Sequence, residues 1–348
     1  MEKKGVSPVK IAAAYIGTVV GAGFATGQEI MQFFVAFGRR GLLGIALTTV
    51  MFIVFGIIIM ELGRTLTAQS YLEVLRHAGG QRLGAVMDVL LAIFLFCSLT
   101  AMLAGTGALF RQQFGLTEIL GNLIMIILTA ATVLRGRDGV FNAISLVVPL
   151  LLLSVIGISA YSLVKTPPEL TGGAVLQSSG MMKTWLWSAI LYVSYNATTS
   201  ISVLGPLGGA AAGRKAIIKG GILGGLGLGA VSAMIYLAIS GNISNLRDLE
   251  VPMLYISGRI SRAVQLGYAV VLIAEIYTTA VGSLYGLSAR MVSINKSPTA
   301  GRAVIMGVAV VALLASLLGF TNIVKYLYPL VGYAGLFILI SILYARLK

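Results

Sequence analysis

Apolar runs of about 20 residues, the length that crosses about 30 Å of hydrocarbon, recur from one end of this chain to the other. A backbone in hydrocarbon must satisfy its own amides and carbonyls, and runs of this kind do so as helices. The pattern therefore commits the chain to an all-α integral membrane protein. Only 10% of its 348 residues are charged and 58% are hydrophobic, where a soluble domain carries about 25% charge. No stretch is left for a separate soluble domain, so a single transmembrane domain over 1–348 is expected. Met1 to Lys10 is short and charged, and no small-residue cleavage site follows the first apolar run. That first helix is expected to be retained.

Ten spans are read, at about 8–36, 42–66, 84–112, 117–134, 142–164, 182–211, 215–240, 264–289, 301–318 and 322–346. Between the second and third, "QSYLEVLRHAGGQRLG" is helix-compatible but too charged to span, and it is expected to rest on the membrane surface. "NISNLRDLEVPMLYISGRISRA", before the eighth span, reads the same way on the opposite side. The net charge of +14 would suggest nucleic acid in a soluble protein, but here the basic residues sit in short loops between apolar runs, so no nucleic-acid partner is expected. With both termini cytoplasmic, only Arg39, Arg40, Arg111, Lys165, Lys183, Arg247, Arg259, Arg262 and Lys325 of the 25 basic residues face the other side. The bias favours that orientation. Cys97 and His77 are each alone of their kind, which leaves no disulfide, thiolate or transition-metal framework.

Spans one to five map onto six to ten with an offset of about 175 to 185 residues. Each half has an odd number of crossings, so the second is inserted upside down relative to the first: a 5+5 inverted repeat, about 8–166 and 180–348. Span one contains "GTVVGAGFATGQEI", in which Gly17, Gly21, Gly23 and Gly27 precede Gln28 and Glu29. Glycine costs about 1 kcal/mol relative to alanine inside a helix, and a carboxylate at membrane depth costs more. An unwound segment lining a cavity accounts for both, since glycine tolerates its dihedrals and admits a ligand to the backbone. A close-packed small-residue seam through Ala13, Gly17, Gly21 and Ala25 is the alternative. The repeat offset carries this cluster onto "SYNATTSISVLGPLGG", Ser194 to Gly209, where Asn196, several hydroxyls, Gly205 and Pro206 predict a second break. Matched interruptions in the two halves point to a midplane site.

With these features the chain resembles the LeuT-fold, or amino acid-polyamine-cation, superfamily of transporters, and "YIGTVVGAGFATGQEI" is similar to the start of the YkvI-like bacterial membrane proteins. Helix count and repeat layout carry the resemblance over the whole chain; only the first span carries it as a motif. It implies a ten-helix fold in which helices 1 and 6 are broken and bind substrate, within a bacterial cytoplasmic membrane. By position it implies a sodium site made of the carbonyls of Gly17 and Val20 with the hydroxyls of Thr278 and Thr279, an oxygen set that suits a hard cation. Bound Na+ is thus the one cofactor in view. Back-bonding of the two threonines to the preceding turn is the plainer role. Proton-coupled members often carry a lysine in the fifth helix, and here none occurs before Lys165 at the end of that span. Glu275, one turn before Thr279, and Glu29 keep proton coupling open, because burial favours a neutral carboxylic acid that can carry a proton. Glu61 and Asp88, near span ends, read as solvated or capping residues.

The implied function is secondary active transport of a small polar or zwitterionic solute, an amino acid or related amine, coupled to Na+ or H+ by alternating access. The substrate candidates are Ala22, Gly23, Phe24, Thr26, Gln28 and Glu29 from the first break and Tyr195, Asn196, Thr198 and Thr199 from span six, with Ser98 of span three. Thr100, Tyr326, Tyr328 and Tyr333 are weaker candidates. The partners are then the solute and the lipid bilayer, with oligomeric state left open. A receptor that keeps the transporter fold and senses a solute is the alternative. An enzyme is not expected, since no paired aspartates, His-Glu metal motif or activated serine is visible.

Overall fold

A computed structural model describes residues 5–135, 147–170, 180–291 and 298–347. Lys3, Lys4, Arg137, Lys296 and Lys348, which enter the charge argument, and residues 142–146 of the fifth apolar run lie outside the described residues. The described residues are mainly helical, with no named strand among them.

The first apolar run divides into α1 (Pro8–Val19), α2 (Ala22–Ala25) and α3 (Gln28–Phe33). Long helices follow: α4 (Arg39–Thr65), α5 (Tyr71–Phe114), α6 (Glu118–Leu134), α7 (Val147–Lys165), α8 (Trp185–Gly209) and α9 (Arg214–Ser240). Two short helices, α10 (Ile243–Leu246) and α11 (Pro252–Gly258), lead into α12 (Arg262–Met291) and α13 (Pro298–Ser316). The chain then runs through α14 (Phe320–Asn322) and a π-helical turn, Ile323–Leu327, into α15 (Tyr328–Leu347). Seven helical stretches among the described residues are long and apolar enough to cross a membrane: α4, 84–114 of α5, α7, α9, α12, 299–316 of α13 and the run 320–347. α1 and α6 are apolar but shorter.

The segment 71–79, too charged to span, is a separate arm of α5: Gly80, at φ 69° and ψ −177°, breaks the helix there with a backbone that only glycine adopts without strain. α8 lies at the centre of the bundle. Its backbone meets that of α4 so closely that a Cβ at Gly63 would collide with the Gly205 backbone and one at Gly208 with the Met60 backbone, the small-residue packing that replaces hydrophobic drive between membrane helices. The close crossing of α1 is made by the partner helix rather than by its own glycines. Gly220, Gly224 and Gly227 of α9 receive Ile11, Tyr15 and Ile16.

The predicted break in span six is not there: α8 is one continuous helix from Trp185 to Gly209. Its polar residues are absorbed by the helix itself. Thr198 Oγ1 donates to Ser194 O (2.8 Å), Thr199 Oγ1 to Asn196 O (2.7 Å), Ser200 Oγ to Asn196 O (2.7 Å) and Asn196 Nδ2 to Tyr192 O (3.0 Å). Side chains that bond back to the preceding turn leave no reason to unwind it. Pro206 falls within four residues of the end, where few helical bonds are lost.

Glu61 and Asp88 are paired, not merely solvated. Glu61 accepts from Arg214 Nε (2.7 Å) and Arg346 Nη2 (2.6 Å), joining the ends of α4, α9 and α15. Asp88 accepts from Arg290 Nη1 (3.0 Å) and from the Tyr71 hydroxyl (2.8 Å), and the Arg290 guanidinium lies over the Tyr71 ring at 4.7 Å. Both networks lie at one end of the bundle. At that end Val6 also pairs with the loop after α8, through Val6 N–H to Ala210 O (2.9 Å) and Ala212 N–H to Val6 O (3.1 Å).

Candidate solute site at the break in the first helix

The first helix ends because Val20 turns extended, at ψ 94°. The Gly21 N–H then bonds to Val19 O (3.0 Å) instead of reaching Gly17 O, so the Gly17 carbonyl loses its helical donor. α2 restarts with Ala25 N–H to Gly21 O (3.0 Å) and stops at Thr26, whose Oγ1 donates to Gly23 O (2.8 Å) and accepts from Gln28 N–H (3.3 Å). Gly27, at φ 82°, makes the second break. The carbonyls it frees find protein partners: Tyr268 O–H of α12 donates to Ala25 O (2.5 Å), and Met253 N–H of α11 to Thr26 O (3.0 Å). Irregular backbone inside a membrane bundle is tolerated on those terms.

A cavity of about 300 Å³ opens beside the first break, between α1, α2 and α3 on one side and α5, α8, α12 and α15 on the other. Glu29, 5% exposed, is its carboxyl, and the Tyr195 hydroxyl donates to Glu29 Oε2. A Cβ at Gly23 would run into the same carboxylate, so the glycine makes the space Glu29 occupies. Phe94 stacks on Tyr195 at 6.0 Å with 20° between planes, and Tyr328 tilts against it at 5.1 Å. On its wall Ser283 Oγ donates to Ser98 Oγ (3.1 Å).

Of the residues picked from sequence, the cavity gathers Ala22, Gly23, Glu29, Ser98, Tyr195, Asn196, Thr199, Thr279 and Tyr328. The others are elsewhere. Phe24 is fully buried in the core, Thr26 caps the break, and Gln28 Nε2 reaches Thr321 Oγ1 (3.1 Å) at the start of α14. Thr198 points to α15, Thr100 bonds back to Phe96 O (2.9 Å), and Tyr333 bridges Trp187 and Met181 O at 2.8 Å each. Tyr326 is 48% exposed. The proposed sodium ligands divide. Thr279 lines the cavity, whereas Thr278 Oγ1 donates to Glu275 O (3.0 Å), Val20 is buried, and Gly17 packs on Val148 in a separate apolar groove. Glu275 is 3% exposed, and its Oε2 has no hydrogen-bond partner among the described residues. A hydroxyl in the cavity, an unpartnered buried carboxyl oxygen one turn away and the Gly17 carbonyl freed at the break are oxygen donors suited to a hard cation; the Thr278 hydroxyl is already committed.

Thr18, Phe94, Ser202 and Ser283 also line the cavity and were not singled out by sequence. Helical spacing carries the signal for three of them. Phe94 is four residues from Ser98, Ser283 four from Thr279, and Ser202 three from Thr199, so each shares a face with a residue already chosen.

Beyond the cavity, at the bundle end opposite Glu61, the helices are tied together. There Gln112 Nε2 donates to Val251 O (2.9 Å) and accepts, through Oε1, from Val251 N–H (3.1 Å), tying α5 to the loop before α11. Glu250 accepts from Arg111 Nη2 (3.2 Å) and from Thr321 N–H (3.0 Å). Toward the Glu61 end the lining continues through Thr18, Ser202 and Ser283.

This architecture has counterparts among solved membrane transporters. The inward-facing conformation of Mhp1 superposes with a TM-score of 0.67 at 14% identity, covering 96% of this chain and 74% of that one. MhsT in complex with L-phenylalanine gives 0.60 at 18% identity, covering 95% and 89%. The chain is thus a multi-pass membrane protein with the LeuT fold. At the level of sequence no family model matches. The membrane protein YkvI of Bacillus subtilis (strain 168) is 32% identical over 336 residues, 97% of this chain and 95% of that protein. YyaD of the same strain is 28% identical over 329 residues, 94% of each. The chain belongs to the YkvI family of membrane proteins.

Proposed function

We propose that this protein is a secondary active transporter of a small polar solute, working by alternating access as a ten-span inverted repeat with both termini in the cytoplasm. The observation that carries the reading is the cavity at the break of the first helix, latched at one end and extending toward the other. With the termini inside, the latched end is extracellular and the state described is inward-facing. Ala22, Gly23, Glu29, Ser98, Tyr195, Asn196 and Thr199 contact the solute, and Thr279 with Glu275 and the Gly17 carbonyl takes the coupling cation, Na+ in preference to H+. Mhp1, described as a nucleobase-cation-symport-1 family transporter, and MhsT, bound to L-phenylalanine, support the general class.

Reconstitution tests it. Liposomes carrying the protein should accumulate a labelled amine or amino acid when an ion gradient is imposed and release it when the gradient is collapsed. Ligand binding with no gradient-driven flux would mark a receptor instead.

The latch is open to a separate test. Gln112→Ala removes both bonds to Val251, each worth about 1 kcal/mol. Spin labels on α5 and α11 at this end are expected to show a longer distance, with its population raised roughly tenfold or more. An unchanged distance distribution would detach this contact from gating.

A further inference from the structure

The charge of the cavity selects its solute more narrowly than its shape does. Among the described residues on its wall, Glu29 is the one carboxyl, and no lysine, arginine or histidine joins it. The titratable groups that face Glu29 are Tyr192 and Tyr195 from α8 and Tyr328 from α15, with Cys97 of α5 beside Tyr328. None of these carries positive charge in either of its protonation states. A carboxylate taken out of water without a cation is strongly unfavourable, so something must bring that charge to Glu29. A proton or a bound cation can do so.

The walls around Glu29 favour the same kind of occupant. Phe94, Tyr195 and Tyr328 make this wall aromatic, and aromatic side chains associate with an ammonium rather than with an anion. A carboxylate on the solute would meet no cationic side chain on this wall, only neutral donors such as the Ser98 hydroxyl and the amides of α2, and at four residues α2 has little dipole to offer.

We infer that the solute is an organic amine bound as its cation, that its ammonium takes the place of the proton on Glu29, and that the solute needs no carboxylate of its own. This rests on reading the cavity as the solute site. The exchange balances: the Glu29 carboxylic acid meets R–NH3+, the O–H bond breaks, the proton leaves to cavity water, and the carboxylate and ammonium remain as a pair. Glu29 goes from neutral to −1 as the ammonium brings +1, so the net charge in the cavity is unchanged and the released proton is the readout.

The test is calorimetric titration of the purified full-length protein with isoamylamine, 2-phenylethylamine, L-leucine and 4-methylpentanoate, in two buffers of different ionisation enthalpy. It is run at the most acidic pH at which the protein stays folded. At least one amine is expected to bind with release of about one proton, while 4-methylpentanoate does not bind and leucine binds no more tightly than isoamylamine. Glu29→Gln is expected to weaken amine binding on the order of 100-fold and to end the proton release. Glu29→Asp keeps the charge and should still release a proton at lower affinity, which separates loss of the carboxylate from loss of fold. Failure of both amines to bind, binding of 4-methylpentanoate, leucine binding on the order of tenfold tighter than isoamylamine, or amine binding without proton release overturns the inference. Transport is judged separately in liposomes. Amine binding without flux overturns the transport reading and leaves the amine assignment standing, whereas flux of an anionic solute with no amine binding does the reverse.

Discussion

Gly23→Ala is expected to cripple solute binding in a protein that still folds. A single added methyl group would occupy the position of the Glu29 carboxylate, which is held from the other side by the Tyr195 hydroxyl. Glu29 cannot retreat into solvent, since it is 5% exposed and its partner Tyr195 is fixed among Phe33, Phe94, Tyr192 and Tyr328. The methyl therefore displaces the carboxyl into the cavity. Overpacking of this kind costs about 1 to 3 kcal/mol, a loss that a bundle of this size absorbs while remaining inserted. Affinity is expected to fall on the order of 100-fold, because a polar site displaced by about an ångström no longer meets its ligand. Wild-type affinity in a monodisperse Gly23→Ala protein would remove the first break from the solute site. Gly21→Ala is the comparison two residues earlier: a Cβ there meets no protein atom within 4 Å, so the methyl should leave the Glu29 carboxyl where it is and the stability unchanged.

The second large effect is expected at Glu275, whose Oε2 is buried without a partner beside the threonine that lines the cavity. A bound ion or an ordered water is what completes such an oxygen in a native protein. If that ion is sodium, replacing sodium by choline lowers solute affinity in the wild type by a factor of about 5 to 150, the usual size of coupling between two sites. Glu275→Gln keeps the shape and one oxygen but loses the charge, and it should make solute affinity indifferent to sodium. Thr279→Val should do the same to a smaller degree. Melting temperature separates this from a purely structural role: a carboxylate that only balances a buried cation would, on change to glutamine, destabilise the protein by about 3 to 5 kcal/mol. Sodium-independent affinity in the wild type at constant pH would falsify the sodium assignment outright.

Class and membrane embedding were legible in the sequence because they depend on one-dimensional quantities. Length and hydropathy of the runs say that helices must cross a bilayer, whatever they pack against. The break in the first helix was legible for a related reason. Gly21, Gly23 and Gly27 followed by Gln28 and Glu29 are too costly in a straight membrane helix for packing alone to explain, and the dihedrals at Val20 and Gly27 answer that cost locally.

What the tertiary structure alone decided is which of several equivalent polar residues face one another. Asn196, Thr198, Thr199 and Ser200 look alike along the chain, and their composition suggested a second break. Whether such residues unwind a helix or bond back to it depends on the neighbours available, and α8, enclosed by α4, α5 and α15, keeps its turns and bonds inward. The same holds for Thr278 and Thr279, adjacent in sequence and turned about 100° apart on the helix, so that one bonds to Glu275 O and the other reaches the cavity. The pairing of Glu29 with Tyr195, residues far apart in the chain, follows from no local rule. Hydropathy is summed along the chain and survives without a fold, whereas contacts such as these exist only once helices from distant segments have packed at fixed rotations.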